Sequence, residues 1–186
     1  SGKSRLSEVL SDKEREQLVV DLFLRTLSVL KKSNCIDNIV VISQDIIVLD
    51  LASANDVMAI RENENSDLNS AIQQATQVAI SSEATGILVL PADLPLLSGN
   101  DVNNMTNYND CDRVLMIVPD RHKVGTNALF VKPPGILKYR FGENSYSAHM
   151  QEARRIRAQL VVNQLPNIEF DIDDPVDLCK IRKMDL

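Results

Sequence analysis

The stretch from Gly86 to Pro95 constrains this chain most, because it joins a short apolar run to an isolated aspartate between two prolines. The run Ile87–Leu90 is unbroken, which predicts a strand buried on both faces of a parallel sheet. Proline fixes φ and has no amide hydrogen to donate, so the strand should end at Pro91. Asp93 then follows the carboxyl end of the strand, where open α/β sheets bind their ligands. The alternative is that Asp93 only caps the turn before the next helix.

Length, charge and cysteine content limit the class of protein. The 186 residues predict a single domain over residues 1–186, and a hydrophobic content of 44% is ordinary for a globular chain. The net charge of −6 gives no support to nucleic-acid binding. No apolar run approaches the ~20 residues that a membrane span needs. Three scattered cysteines indicate neither a disulfide framework nor a zinc site, which favours the reducing cytoplasm.

Helix and strand signals alternate along the chain, which predicts an α/β fold with a mainly parallel sheet. Ser11 and Glu14 form a capping-box pattern at the start of the first helix. Asp174 is a good N-cap, with Pro175 at the first helical position. The predicted helices cover residues 12–32, 45–54, 67–82, 98–108, 141–158 and the segment from 175. The predicted strands cover residues 38–43, 57–60, 87–90, 113–119 and 128–131, and a last strand ends within 170–174.

Acidic side chains recur where strands are expected to end. Asp171 and Asp173 are two residues apart on an extended segment, so both should lie on one face. Two carboxylates ~4 Å apart repel by roughly 4 kcal/mol at an effective dielectric constant of 20, which a bound cation would relieve. With Asp93 they would supply three hard oxygen ligands, a set that suits Mg²⁺ carrying substrate phosphates. Such clusters also occur as helix caps and solvated turns, and that alternative stays open here.

Several turn residues could bind an anion, although each is ordinary turn chemistry in isolation. Thr126 follows a glycine, and Gly142 precedes Ser145, so hydroxyls stand beside open backbone, as phosphate or carboxylate binding requires. Asn69 in a first helical turn is either a local cap or a contact to a base or substrate. The start of the same helix offers backbone amides to an anion. His149 is interpreted as a residue that packs below the site rather than as a catalytic one.

The order of these motifs is more specific than any one of them. They occur as Lys3-Ser4-Arg5-Leu6, Leu68-Asn69-x-Ala71, Ala92-Asp93-Leu94-Pro95, Gly125-Thr126-Asn127-Ala128-Leu129, Phe141-Gly142-x-x-Ser145 with His149, and Asp171-Ile172-Asp173-x-Pro175-x-Asp177-Leu178. Over essentially its whole length the chain resembles the 2-phospho-L-lactate guanylyltransferase family. That family makes the activated intermediate for the deazaflavin coenzyme F-420, and its relatives include phosphoenolpyruvate guanylyltransferases.

The resemblance implies a Rossmann-like, glycosyltransferase-A-like nucleotidyltransferase fold. The implied reaction joins GMP from GTP to 2-phospho-L-lactate, phosphoenolpyruvate or 3-phosphoglycerate and releases pyrophosphate. By motif, Mg²⁺ would be held by Asp93, Asp171 and Asp173. The acid would bind at Thr126, Gly142 and Ser145, and the corner Leu68-Asn69-Ser70 would help to close the pocket. GTP and a small phosphorylated acid are thus the expected partners, and the sequence leaves a homodimer open.

The amino-terminal end departs from the family pattern. Relatives begin with a hydrophobic strand and a Pro-x-Lys loop, which this sequence lacks, so the natural protein is expected to be longer. Lys3 and Arg5 remain as candidate phosphate contacts, while Ser1-Gly2-Lys3-Ser4 lacks the strand and the earlier glycine of a P-loop. Two other interpretations are a molybdenum-cofactor type nucleotidyltransferase of the same fold and a truncated, inactive nucleotide-binding or interaction protein.

Overall fold

The computed structural model describes residues 4–108, 110–170, 172 and 174–182. Lys3, Asp171 and Asp173 therefore lie outside the described residues. Of the helices in the described segments, none combines the length and the apolar character that crossing a membrane requires. After a 3-10 turn at Ser4–Leu6, the helices are α1 Asp12–Lys31, α2 Ile46–Ala54, α3 Leu68–Ser81, α4 Gly99–Thr106, α5 Ser145–Arg155, α6 Pro166–Glu169 and α7 Pro175–Arg182. The strands are β1 Val40–Ser43, β2 Met58–Arg61, β3 Ile87–Val89, β4 Val114–Pro119, β5 Thr126–Lys132 and β6 Gln159–Val162.

Side-chain caps begin several of the helices where the sequence predicts them. Ser11 and Glu14 form a complete capping box at α1. Asp67 accepts the amide of Ser70 at the start of α3. At α7 the Asp174 carboxylate accepts two amides of the first turn. Each cap satisfies backbone donors that the first helical turn leaves without an intrahelical partner, so local sequence sets these helix starts.

The strands form two sheets. β1 and β2 pair in parallel, and the second sheet has the order β3-β5-β4-β6. β5 runs antiparallel to both β3 and β4, whereas β6 is parallel to β4, so β3, β4 and β6 share one direction. Strands alternate with helices, and three of the four strands in the second sheet share one direction, which confirms the predicted α/β class.

Three details of the predicted strands are wrong. β3 pairs antiparallel with β5 and is only partly buried, instead of lying in a parallel sheet with both faces covered. β6 was not predicted, because its four residues were too few to separate from the helix before them. No strand ends within 170–174 among the described residues there: Phe170 follows the short helix α6, and Ile172 is buried but not in a strand.

Strand β4 is the centre of the core. All six of its residues are buried, and Val114 to Val118 are 0% exposed. Alternate residues face opposite sides: Met116 packs with the α4 side of the sheet, while Leu115 and Ile117 pack with the α5 side. Burying each such side chain contributes about 1.5–3 kcal/mol. Helices on both faces of β4 therefore fix the sheet against which the site is built.

A cleft of about 1630 Å³ separates the two sheets. Its walls include β1 and β3, the segment between β3 and Asp93, and the start of β5 at Thr126. The antiparallel register pairs Val89 with Leu129. Because β3 runs toward Asp93 as β5 leaves Thr126, this register brings the two residues to the same end of the sheet. The fold thus collects polar side chains at one mouth of the cleft.

Candidate active site

The loop that carries Asp93 is held from both sides. The Thr26 hydroxyl of α1 donates to the Ala92 carbonyl at 3.3 Å, and the Arg25 Nε donates to the Pro95 carbonyl at 2.6 Å. Leu94, the residue after Asp93, is 0% exposed. Asp93 itself is half-buried in the cleft wall. The loop is therefore anchored by a helix and by the core at a point where Asp93 lines the cleft.

The predicted metal site is only partly described. Of its three expected ligands the structure describes Asp93, since Asp171 and Asp173 lie outside the described residues. Within the described segments no three histidine, cysteine, aspartate or glutamate side chains cluster closely enough to hold a metal ion. The Asn127 amide donates to the Ile168 carbonyl at 2.9 Å, so the chain just before Asp171 is tied to β5. A carboxylate in the cleft wall is a donor that suits a hard cation such as Mg²⁺.

Thr126 and Ser145 lie in direct contact. The Thr126 amide donates to the Ser145 hydroxyl oxygen at 3.0 Å, which joins the start of β5 to the start of α5. The Thr126 hydroxyl oxygen lies 3.0 Å from Nδ1 of His149, one turn further along α5. Thr126 borders the cleft, whereas Ser145 is 2% exposed. The two hydroxyls predicted to bind an anion are thus adjacent in space.

His149 supports this pair from below, as the sequence analysis predicts. The ring is 0% exposed, and Phe141 packs against it edge-on with 4.8 Å between ring centroids. The Arg140 amide donates to Nε2 at 3.0 Å. Burial lowers the pKa of His149 from 6.5 to about 4, and the charge of Glu152 opposes this shift to a smaller extent. His149 is therefore neutral at neutral pH.

Gly142 shapes the turn that leads into α5. Its φ is +123°, a backbone conformation that side chains with a Cβ rarely adopt, and an added Cβ there would meet no atom within 4 Å. The Gly142 carbonyl accepts the Ser145 amide at 3.2 Å. No side chain caps α5, since Asn144 makes no capping hydrogen bond. Glycine is thus required by the backbone, and the space in front of it is open.

Asn69 joins the start of α3 to the same turn. Its amide nitrogen donates to the Phe141 carbonyl at 3.0 Å, and its amide oxygen accepts the Phe141 amide at 2.7 Å. Of the two interpretations offered by the sequence, a local cap is wrong, because Asp67 makes the cap. Hydrogen bonds from the Ser70 hydroxyl and amide hold the pKa of Asp67 below its usual value. The Ser70 amide is therefore used by the protein itself, and Leu68 is exposed at the cleft.

Asp120 is a site-shaping residue that the sequence analysis missed. Its carboxylate accepts the amides of His122, Val124 and Gly125 at 2.9–3.1 Å and so closes the loop before Thr126. A Cβ on Gly125 would lie 2.9 Å from the Asp120 Oδ2, so this close approach requires glycine. The aspartate directly after a strand-ending proline was the available signal, because aspartate commonly bonds backbone amides in turns.

The structure thus joins most of the predicted site residues that it describes. Leu68, Asp93 and Thr126 border one cleft. Ser145 is bonded to Thr126, while Asn69 is bonded to the residue before Gly142. Lys3, Asp171 and Asp173 stay predictions. Ser70 is exposed and does not line the cleft, whereas the other predicted residues whose structure is described line the cleft or are linked to residues that do.

Sequence comparison gives a consistent family signal. Residues 1–183 match the family described as Guanylyl transferase CofC like. A protein of Rubrobacter xylanophilus named phosphoenolpyruvate guanylyltransferase is 34% identical over 97% of this chain and 87% of its own length. A protein of Methanobrevibacter smithii named 2-phospho-L-lactate guanylyltransferase is 31% identical over 96% of this chain and 77% of its own. Both kinds of relative therefore align with nearly all of this sequence.

Comparison with solved structures supports the fold. A Desulfovibrio desulfuricans G20 protein described as a nucleotide-diphospho-sugar transferase superposes with a TM-score of 0.78 at 17% identity, covering 100% of this chain and 81% of that one. A nucleotidyl transferase of Methanothermobacter gives a TM-score of 0.65 at 15% identity, covering 88% of this chain and 79% of that one. At these identities the likeness establishes a shared nucleotidyltransferase-type fold.

Proposed function

This chain belongs to the Guanylyl transferase CofC like family, and on that premise we propose that it transfers GMP from GTP to a phosphorylated three-carbon acid. The acid is phosphoenolpyruvate or 2-phospho-L-lactate, the substrates in the names of its relatives. Pyrophosphate is the second product, and the activated acid serves the biosynthesis of coenzyme F-420. The observation that carries this proposal is the cleft mouth, where Asp93 and Thr126 both line the cleft at the same end of the sheet.

The acid binds at the contact between β5 and α5. Thr126 and Ser145 contribute one hydroxyl group each, and the Thr126 backbone amide donates to the Ser145 hydroxyl oxygen. Gly142 contributes open space, because its position has no side chain and nothing lies near where one would be. A phosphate and a carboxylate both need several hydrogen-bond donors at close range, and a glycine turn lets them approach the backbone.

Three carboxylates would hold the metal. We assign Asp93, Asp171 and Asp173 to Mg²⁺, a cation that prefers oxygen ligands and phosphate-bearing substrates. Bound there, Mg²⁺ would neutralise negative charge on the triphosphate. Support for Asp93 comes from its anchored loop and its half-buried position in the cleft wall. The assignment of the other two rests on their sequence motif.

The corner Leu68-Asn69-Ser70 closes the pocket, with the exposed Leu68 side chain offering apolar contact at the cleft. Lys3 is assigned by motif to a phosphate of a substrate. The reaction partners are therefore GTP and the acid.

The cysteines Cys35, Cys111 and Cys179 are free thiols, which suits action in the reducing cytoplasm.

The chemistry requires alignment more than proton transfer. An oxygen of the acid's phosphate forms a bond to the α-phosphorus of GTP as the bond from that phosphorus to the pyrophosphate oxygen breaks. A phosphate monoester is already ionised at neutral pH, so no protein side chain has to remove a proton. The residues of the site hold two anionic reactants close together, and such positioning with charge stabilisation accounts for much of catalysis in this class of reaction.

A pyrophosphate-release assay tests the proposal. The protein is incubated with GTP, Mg²⁺ and each candidate acid, and the pyrophosphate formed is measured. We expect release with phosphoenolpyruvate or 2-phospho-L-lactate and a ~100-fold lower turnover in Asp93→Asn, the effect of removing one preorganised charge. Asp50→Asn, on the exposed face of α2, is the matched control and should retain full activity. No release with any of the acids would refute the proposed reaction, and a fully active Asp93→Asn would refute the role of that carboxylate.

A further inference from the structure

The direction of the hydrogen bonds around His149 can be assigned from the heavy atoms alone. A backbone amide can only donate, so the Arg140 amide, 3.0 Å from Nε2, requires that nitrogen to accept. A neutral imidazole carries its single proton on the other nitrogen, here Nδ1. Nδ1 therefore donates to the Thr126 hydroxyl oxygen, which lies 3.0 Å away.

The Ser145 hydroxyl, like that of Thr126, accepts a hydrogen bond from the protein. Its oxygen accepts the Thr126 amide at 3.0 Å. Both hydroxyl oxygens thus accept from a fixed protein donor, and among the described residues neither hydroxyl hydrogen has an acceptor within hydrogen-bond distance. Two adjacent hydroxyls with their hydrogens left to donate form a site suited to an oxyanion and unsuited to a ligand that must itself donate.

We propose that His149 is a positioning residue whose Nδ1–H directs the Thr126 hydroxyl hydrogen toward the phosphate or carboxylate of a bound acid. The identity of that anion rests on the proposed function, whereas the direction of the hydrogen bonds does not. The ring is 0% exposed, so water cannot supply alternative partners. The backbone amide of Arg140 selects the tautomer of His149, and the Arg140 side chain plays no part in this selection. His149 accordingly acts through Thr126 without touching the substrate.

The tautomer of His149 can be measured without any substrate. The chain has two histidines, so a long-range nitrogen–proton NMR spectrum should show two rings, and His122→Gln assigns them. At pH 7 we expect the His149 spectrum of a neutral ring with its proton on Nδ1 and an unprotonated Nε2. A proton on Nε2, or a doubly protonated ring, overturns the proposal.

Two substitutions separate positioning from packing. The side-chain amide of His149→Asn stands near Nδ1 and can still donate to Thr126, whereas that of His149→Gln reaches the Nε2 position and can only replace the contact with Arg140. We expect His149→Gln to raise KM for the acid by ~3–10-fold with kcat little changed, the scale of one neutral hydrogen bond, and His149→Asn to stay within ~2-fold. Thermal unfolding of both variants reports the packing effect independently.

The effect on Thr126 itself completes the test. Thr126→Val removes the hydroxyl and should weaken binding of phosphoenolpyruvate by ~10–100-fold, the scale of a hydrogen bond to a charged group, while Thr126→Ser should restore most of it. Calorimetric titration with phosphoenolpyruvate needs no turnover. Equal KM values in the two His149 variants overturn the positioning role even if pyrophosphate is released. If pyrophosphate is not released, the guanylyl transfer fails, but the expected tautomer and a Thr126-dependent anion affinity would still support this inference.

Discussion

Lowering the pH from 7 to 5 should destabilise the folded protein through His149. Burial lowers the pKa of this ring from 6.5 to about 4, with Glu152 opposing the shift. The charged side chains nearby are Glu152 itself and its partners Arg140 and Arg155, which lie 3.9 Å and 2.8 Å from its carboxylate. Between these two pKa values the unfolded chain binds a proton that the folded protein excludes. The contribution of neutral His149 to the free energy of unfolding is therefore fully present above pH 6.5 and is lost as the pH approaches 4.

The size of the effect follows from the two pKa values. Each pKa unit corresponds to ~1.4 kcal/mol, so a lowering from 6.5 to about 4 limits the total loss to about 3 kcal/mol. At pH 5 most unfolded chains carry the proton while most folded ones do not. About 2 kcal/mol should therefore be lost by pH 5 relative to pH 7, a large share of the stability of an ordinary domain.

Urea unfolding of the parent protein and His149→Gln at pH 7, 6 and 5 measures this contribution. Glutamine does not titrate, while its side-chain oxygen can still accept the Arg140 amide. Carboxylates that titrate in the same range affect both proteins and cancel in the comparison. We expect the free energy of unfolding of the parent to fall by about 2 kcal/mol more than that of the variant. Parallel pH profiles would refute the argument that the fold keeps His149 neutral.

Three further predictions concern the Thr76–Tyr139 pair, the loop before Thr126 and the predicted metal ligand Asp171. Thr76→Val should lower the free energy of unfolding by about 1–3 kcal/mol, because the buried Tyr139 hydroxyl loses its acceptor 2.8 Å away. Tyr139→Phe should lower it less, since Thr76 still bonds a carbonyl of its own helix, and equal losses in urea unfolding would contradict this. Gly125→Ala should displace Asp120, lower stability by about 1–2 kcal/mol and raise KM for the acid; unchanged kinetics would count against that loop. Asp171→Asn should raise the Mg²⁺ concentration needed for pyrophosphate release, and an unchanged metal titration would exclude the role.

Local features of the fold could be predicted from the sequence. Ser11 and Asp174 cap helices at the predicted positions, because a cap depends only on a side chain and amides two or three residues away. The pairing of β3 could not be predicted in the same way. An apolar run shows that a strand is buried but not which strand lies beside it, and the antiparallel partner β5 begins 37 residues after β3 ends.

The residues of the site also divide into those that local sequence indicates and those that depend on tertiary contacts. Asp93 and Thr126 could be named from strand ends and a glycine turn, since both signals are local. The contact of His149 with the Arg140 amide depends on how the chain before α5 folds back over the helix, and nothing in the spacing of nine residues specifies it. Asn69 was singled out as an asparagine in a first helical turn, but its partner Phe141 is 72 residues away. Propensity can thus indicate that a residue has a tertiary role without identifying its partner.

The paired amide contact between Asn69 and Phe141 has a mechanical consequence. Its two bonds tie the first turn of α3 to the turn containing Gly142, so that neither can shift without breaking both bonds or carrying the other with it. Aspartate would lack the donor, alanine would lack both groups, and glutamine would be one methylene too long to keep this geometry. Because we propose that the acid binds at the turn containing Gly142, we expect a change at Asn69 to disturb the placement of the acid relative to GTP and to lower the rate of transfer more than the affinity for either.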